Sequence, residues 1–251
     1  MAKPVTKLSV NVNKFALLRN SRGRNFPNVR LMAKRCLDAG AQGITVHPRP
    51  DERHIRYADV PDLCPMVQAW GDDTEFNIEG YPGDRFLDLV VEHRPDQVTL
   101  VPDAPDQITS DHGWPFPASV ETLKPIIGRL KEAGIRTSLF LDPDPGQVAG
   151  AAETGADRVE LYTEGWAAAF DRGDADAVLK QYAATARAAQ AAGLGVNAGH
   201  DLNLANLGPF LEAVPDVLEV SIGHALVIEA FDYGLEDTVD RYLKTIAGAE
   251  E

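Results

Sequence analysis

With 251 residues, 44% hydrophobic and 25% charged, the chain has the composition of a folded globular protein, which rules out a disordered chain or a disulfide-stapled mini-protein. Its 24 Lys and Arg stand against 38 Asp and Glu, and the net charge of −14 argues against nucleic acid or anionic lipid as partners. The 2 cysteines sit in apolar helical patterns, no apolar leader follows Met1, and no run approaches about 18 apolar residues, so a soluble, cytoplasmic protein with no membrane partner is expected.

Period-two alternation predicts strands at Leu8-Ser-Val-Asn-Val12, Gly43-Ile-Thr-Val-His47, Phe76-Asn-Ile-Glu79 and Gln97-Val-Thr-Leu-Val101. It returns at Thr137-Ser-Leu-Phe-Leu141, Arg158-Val-Glu-Leu-Tyr162, Gly195-Val-Asn-Ala198 and Val217-Leu-Glu-Val-Ser-Ile222. After each comes a helical pattern, at 28–39, 60–70, 85–93, 119–133, 145–153, 175–192, 204–214 and 224–247 in turn. Gly40, Gly134, Gly155 and Gly193 each follow a helical stretch and precede a strand, where glycine takes the left-handed conformation that ends a helix.

Eight units of about 31 residues with no Pro/Ser-rich linker predict an α/β fold, a single-domain (β/α)8 TIM barrel over residues 1–251. A doubly wound open sheet is the alternative, but Gly-x-Gly-x-x-Gly is missing after the first strand, where Asn13-Lys-Phe-Ala-Leu-Leu-Arg19 follows. Two connections are long, Pro102 to Pro117 and Thr163 to Asp174, and both follow strands, on the face where barrels keep their active sites.

Polar side chains collect at those strand ends. Asn11, Asn13, His47, Glu79, Asn197, His200 and His224 end strands, and Glu160 lies within one. Any one of them alone is what a satisfied structural group looks like, but Glu79 and Glu160 stand out, because burying a carboxylate is costly unless it is paired or its shifted pKa is used. His93 reads as a helix-end cation and His112 as a loop residue. Gly199-His200 and Gly223-His224 follow the seventh and eighth strands, where small residues let backbone N–H groups approach a phosphate, the second at a helix N-terminus. Arg19, Arg22 and Arg24 crowd the first connection and Arg49, Arg53 and Arg56 the second, either as a solvated face or as a second anion clamp.

Leu18-Arg-Asn-Ser-Arg-Gly23, Gly43 to Ile55, Asn77-Ile-Glu79, Val196-Asn-Ala-Gly-His200 and Ile222-Gly-His224 carry a resemblance over nearly the whole chain. The sequence resembles the pyridoxine 5′-phosphate synthase family of vitamin B6 biosynthesis. The resemblance implies a cytoplasmic homo-octamer of barrels with no redox or metal cofactor. Its substrates would be 3-amino-2-oxopropyl phosphate and 1-deoxy-D-xylulose 5-phosphate, and its products pyridoxine 5′-phosphate, inorganic phosphate and water. By motif position it implies His47 and Glu79 as proton acceptors, His200 as proton donor and Glu160 as the group that stabilises transition-state charge. Asn11, Arg22, Gly223 and His224 match binding positions for the aminoketone phosphate, and Arg49, His54 and Thr109 those for the deoxyxylulose phosphate. Asp201 stands where the family carries Gly, with its N–H able to serve the anion, and Asn13-Lys14 stands where many members carry Asp-His.

Two other readings compete. The same histidines and glutamates suit a metal-dependent barrel hydrolase or isomerase, although Arg49 replaces the second His of a His-x-His pair. A non-enzymatic phosphosugar-binding protein would bind both phosphates but release no inorganic phosphate when they are mixed.

Overall fold

The computed structural model describes residues 5–103, 107 and 110–248. Eight parallel strands close into one barrel in chain order: β1 (Lys7–Asn11), β2 (Gly43–Val46), β3 (Glu75–Gly80), β4 (Gln97–Leu100), β5 (Arg136–Leu141), β6 (Arg158–Tyr162), β7 (Gly195–Gly199) and β8 (Val217–Ile222), with β8 pairing back onto β1. The helices are α1 (Asn13–Asn20), α2 (Val29–Asp38), α3 (Val60–Gln68), α4 (Asp84–His93), α5 (Val120–Glu132), α6 (Val148–Glu153), α7 (Glu164–Arg172), α8 (Ala175–Ala191), α9 (Leu204–Ala213), α10 (His224–Tyr233) and α11 (Leu235–Ala247). No helix among the described residues is long and apolar enough to cross a membrane.

The predicted helix-ending glycines all have left-handed backbone, with φ of +102° at Gly40, +79° at Gly134, and +83° at both Gly155 and Gly193. Three helical assignments differ from the sequence expectation. The first connection contains α1, which buries Phe15, Ala16 and Arg19 and leaves Leu17 and Leu18 exposed, so its apolar pattern points the wrong way in sequence. Thr163 to Asp174 is not a loop but α7, buried through Trp166, Ala167 and Ala169 and ended by Gly173 at φ +76°. The last helix is two, because Gly234 at φ +81° breaks it between α10 and α11.

Alternation along the strands places the large apolar side chains outward, under the helices. Leu8, Val10, Ile44, Val46, Phe76, Ile78, Val98, Leu139, Val159, Val196 and Val220 belong to the one buried cluster that joins sheet to helices. Polar side chains fill the inside, where they bond to one another both across the barrel and between neighbouring strands. Near its N-terminal end, Glu75 of β3 pairs with Lys7 of β1 at 2.8 Å and with Arg136 of β5. Asn197 of β7 donates to Gln97 of β4 at 3.3 Å. Higher up, Thr99 of β4 donates to Asn77 at 3.2 Å and to Glu160 of β6 at 3.4 Å. Buried polar groups need such partners, and a polar interior leads upward to the C-terminal mouth.

Candidate active site

Asn11 ends β1, and its amide works in two directions. The oxygen accepts the Asn13 N–H at 3.0 Å, which starts α1, and the nitrogen donates to Glu79 Oε2 at 3.3 Å. Asn13 in turn accepts the backbone N–H of His47 at 2.9 Å. The ends of β1, β2 and β3 are thereby tied together through two short amides. His47 Nδ1 lies 3.9 Å from Glu79 Oε2, both side chains are buried, and the His54 ring is 5.9 Å from that of His47.

On the opposite wall, His200 sits between two aromatic rings, 4.8 Å from Phe140 of β5 and 5.5 Å from Tyr162 of β6. Glu160, wholly buried, lies one layer lower; among the described residues its Oε1 and the Oε1 of Glu79 have no hydrogen-bond partner. A Cβ at Gly199 would overlap the Glu160 carboxylate, so any larger residue there would push that side chain aside. At Gly223 a Cβ would stand 2.9 Å from Asn11 Cβ and 3.0 Å from its carbonyl oxygen, so only glycine lets the end of β8 approach β1. Gly223 precedes the first turn of α10, whose free N–H groups and dipole favour an anion.

Electrostatics divide the site by burial. Burial pushes the Glu79 carboxyl well above the ordinary carboxylate range, and the nearby carboxylates of Glu160, Asp103 and Glu219 push the same way. Glu160 is pushed up to about 8, first by burial and then by Glu219. Burial holds His47 well below its usual value, with His54 and Arg49 adding to the effect, and holds His200 down as well. His54 is lowered to about 4 by burial, then by Arg49 and Lys14. Burial thus favours the neutral forms of the His47, His54 and His200 imidazoles and of the Glu79 and Glu160 carboxyls.

The structure thus gathers Asn11, His47, His54, Glu79, Arg49, His200 and Gly223, with Glu160 beneath them. Arg49 is buried and already paired: Nη1 donates to Asp103 at 2.7 Å and Nη2 to the Gln107 carbonyl at 2.7 Å. Arg19 is likewise held by Asp59, at 2.6 and 2.9 Å, and by the His54 carbonyl. It is part of the scaffold rather than of an anion clamp. Arg22 and Arg24 are exposed on the segment after α1. Asp201 is exposed beside His200, and His224 is the exposed first residue of α10. Thr109 lies outside the described residues.

The sequence reading passed over Asn13 as an anchor, Asp103, Thr99, Tyr162 and Glu219. Glu219 was detectable by the reasoning that found Glu79 and Glu160, as a carboxylate inside an apolar strand. Asp103 sits in an irregular connection with no periodicity to mark it. Among the described residues, no group of three or more His, Cys, Asp or Glu side chains is arranged to hold a metal ion.

A closed parallel barrel with His47, Glu79 and His200 gathered at its C-terminal mouth has the architecture of a (β/α)8-barrel enzyme. The chain belongs to the family described as "Pyridoxal phosphate biosynthesis protein PdxJ", whose sequence model matches residues 8–248. It is 56% identical over 242 residues to the pyridoxine 5′-phosphate synthase of Christiangramia forsetii, covering 96% of this chain and 100% of that one. It is 53% identical to the pyridoxine 5′-phosphate synthase of Bacteroides thetaiotaomicron, with 95% and 98% covered. Among solved structures, the tryptophan synthase subunit alpha of Legionella pneumophila superposes with a TM-score of 0.64 at 13% identity, over 97% of this chain and 93% of that one. That likeness concerns the barrel alone.

Proposed function

We propose that the chain makes pyridoxine 5′-phosphate by joining 3-amino-2-oxopropyl phosphate to 1-deoxy-D-xylulose 5-phosphate and closing the ring, with release of inorganic phosphate and water. The observation that carries this reading is the buried His47 and Glu79 pair, 3.9 Å apart at the mouth and opposite His200. Amine addition to a ketone, dehydration, loss of phosphate and ring closure each need a proton moved, and none needs an electron acceptor.

The charges of the substrates set these groups to work. An ammonium arriving beside Glu79 stabilises its ionised form, so the carboxyl first gives its own proton to solvent; the carboxylate then takes a proton from the ammonium and frees the amine as a nucleophile. His47, neutral because it is buried, accepts the next proton during imine and enamine formation. A phosphate dianion near His200 raises its affinity for a proton, which His200 gives to the departing phosphate or water. Glu160, with a pKa of about 8, ionises as positive charge develops above it and stabilises that charge.

Asn11, Arg22, Gly223 and His224 would hold the aminoketone phosphate, supported by the approach of β8 to β1 at Gly223. Arg49, His54, Thr109 and the Asp201 N–H would hold the deoxyxylulose phosphate. We read the working form as a cytoplasmic homo-octamer. The support is an apolar surface on helices that pack together, where Leu17 and Leu18 of α1 and Ile228 and Phe231 of α10 are exposed, Phe231 to 74%.

Mixing both phosphorylated compounds with the protein tests the reading. Inorganic phosphate and pyridoxine 5′-phosphate are expected together, only when both compounds are present, and undiminished by EDTA. Phosphate release from one compound alone, abolished by EDTA, would establish the hydrolase instead.

A further inference from the structure

His200 and Asp201 are consecutive L residues in left-handed backbone, at φ +79° and +58°. Side chains other than glycine seldom adopt that conformation, and two in succession need neighbours to hold them. The carbonyls of this turn are all claimed. Thr163, completely buried just after β6, donates its N–H to the Gly199 carbonyl at 3.0 Å, and its hydroxyl, with one proton to give, lies 2.7 Å from the same oxygen. The same hydroxyl contacts the carbonyl of His200, which has no other donor among the described residues. Asn206 donates to the Asp201 carbonyl at 3.1 Å. Thr163 itself is fixed, since Tyr182 donates its phenol to the carbonyl of Tyr162 at 2.6 Å.

We propose that Thr163 is a positioning residue for His200, its hydroxyl holding the left-handed turn that aims the imidazole between Phe140 and Tyr162 into the mouth. The Gly199 carbonyl keeps the Thr163 N–H if the hydroxyl is lost, so the hydroxyl matters at the carbonyl of His200. Valine keeps the shape of the side chain and removes that donor; serine keeps the donor. The assignment rests on the proton-donor role of His200 given above.

The test compares Thr163→Val and Thr163→Ser, each alone and combined with His200→Asn, by steady-state turnover of both phosphorylated substrates. A misaimed group costs turnover rather than affinity. Thr163→Val is expected to lower kcat by about 10- to 100-fold with KM changed less than about threefold, while Thr163→Ser stays within about threefold of wild type. In the His200→Asn background, Thr163→Val is expected to add less than about a twofold loss, because its target is gone. Full turnover by Thr163→Val, or the same loss repeated in the His200→Asn background, overturns the assignment. Should the Val chain not fold, a folded Thr163→Ser chain decides: retained turnover supports the assignment and lost turnover overturns it. Wild-type turnover by His200→Asn alone removes the donor role itself, an outcome distinct from failure of the Thr163 assignment.

Discussion

Asn13 Oδ1 accepts the backbone N–H of His47 at 2.9 Å, so the first residue of α1 fixes the strand end that presents the site's imidazole. An aspartate at position 13 would accept the same bond. Lys14, the next residue, adds positive potential that lowers both His54 and His200. Asn13→Ala strands a largely buried N–H, and a loss of about 1–3 kcal/mol in urea unfolding is expected. Turnover is expected to fall about tenfold, while Asn13→Asp keeps it within about fivefold. Equal turnover in the Ala variant and wild type would show that His47 needs no such anchor.

Arg49 and Asp103 form a buried pair at 2.7 Å, with Ser110 also donating to Asp103 at 2.7 Å. Asp103→Ala leaves a buried guanidinium short of a counter-charge, for which a destabilisation of about 3–5 kcal/mol is expected. Denaturant titration measures it. A change under about 1 kcal/mol would mean that solvent reaches Arg49 and screens it.

Stability should depend on pH with opposite signs at two buried groups. Glu219, pushed up to about 7 by burial and by Glu75, keeps in the folded chain a proton that the unfolded chain releases near 4.5. Its contribution is whole below pH 4.5 and is lost as pH rises through 7, so Glu219→Gln should remove about 3 kcal/mol of that decline. His54, lowered to about 4 against an ordinary 6.5, contributes stability that is lost as pH falls from 6.5 through 4. His54→Gln should flatten that acid limb. Denaturation curves from pH 4 to 9 read both, and parallel curves for variant and wild type would contradict the assigned shifts.

Phe231 of α10 is 74% exposed, and Ile228 on the same helix is 50% exposed. The proposed assembly would cover this apolar surface. Phe231→Asp is expected to lower the assembled mass in sedimentation without changing the barrel's circular dichroism. An unchanged mass would place the interface elsewhere.

Much of this architecture was legible because strand alternation and helix-ending glycines are local signals. β6 at Arg158–Tyr162 and β8 at Val217–Ile222 match the periodicity residue for residue. α1 was not legible, since one of its three buried residues is Arg19, whose burial depends on Asp59, forty positions away. Glu79 and Glu160 could be singled out because a carboxylate in an apolar strand is costly wherever it is buried. Thr163 and Asp103 could not, because their value lies in a carbonyl and a guanidinium supplied by other strands and loops.

The account stands on the acid–base work of the mouth, and turnover by Glu79→Gln and His200→Asn with both phosphorylated substrates at saturation measures it most directly. Each variant should keep the wild-type circular dichroism and lose about 10²- to 10⁴-fold in kcat. Folded variants that form pyridoxine 5′-phosphate at the wild-type rate would contradict it.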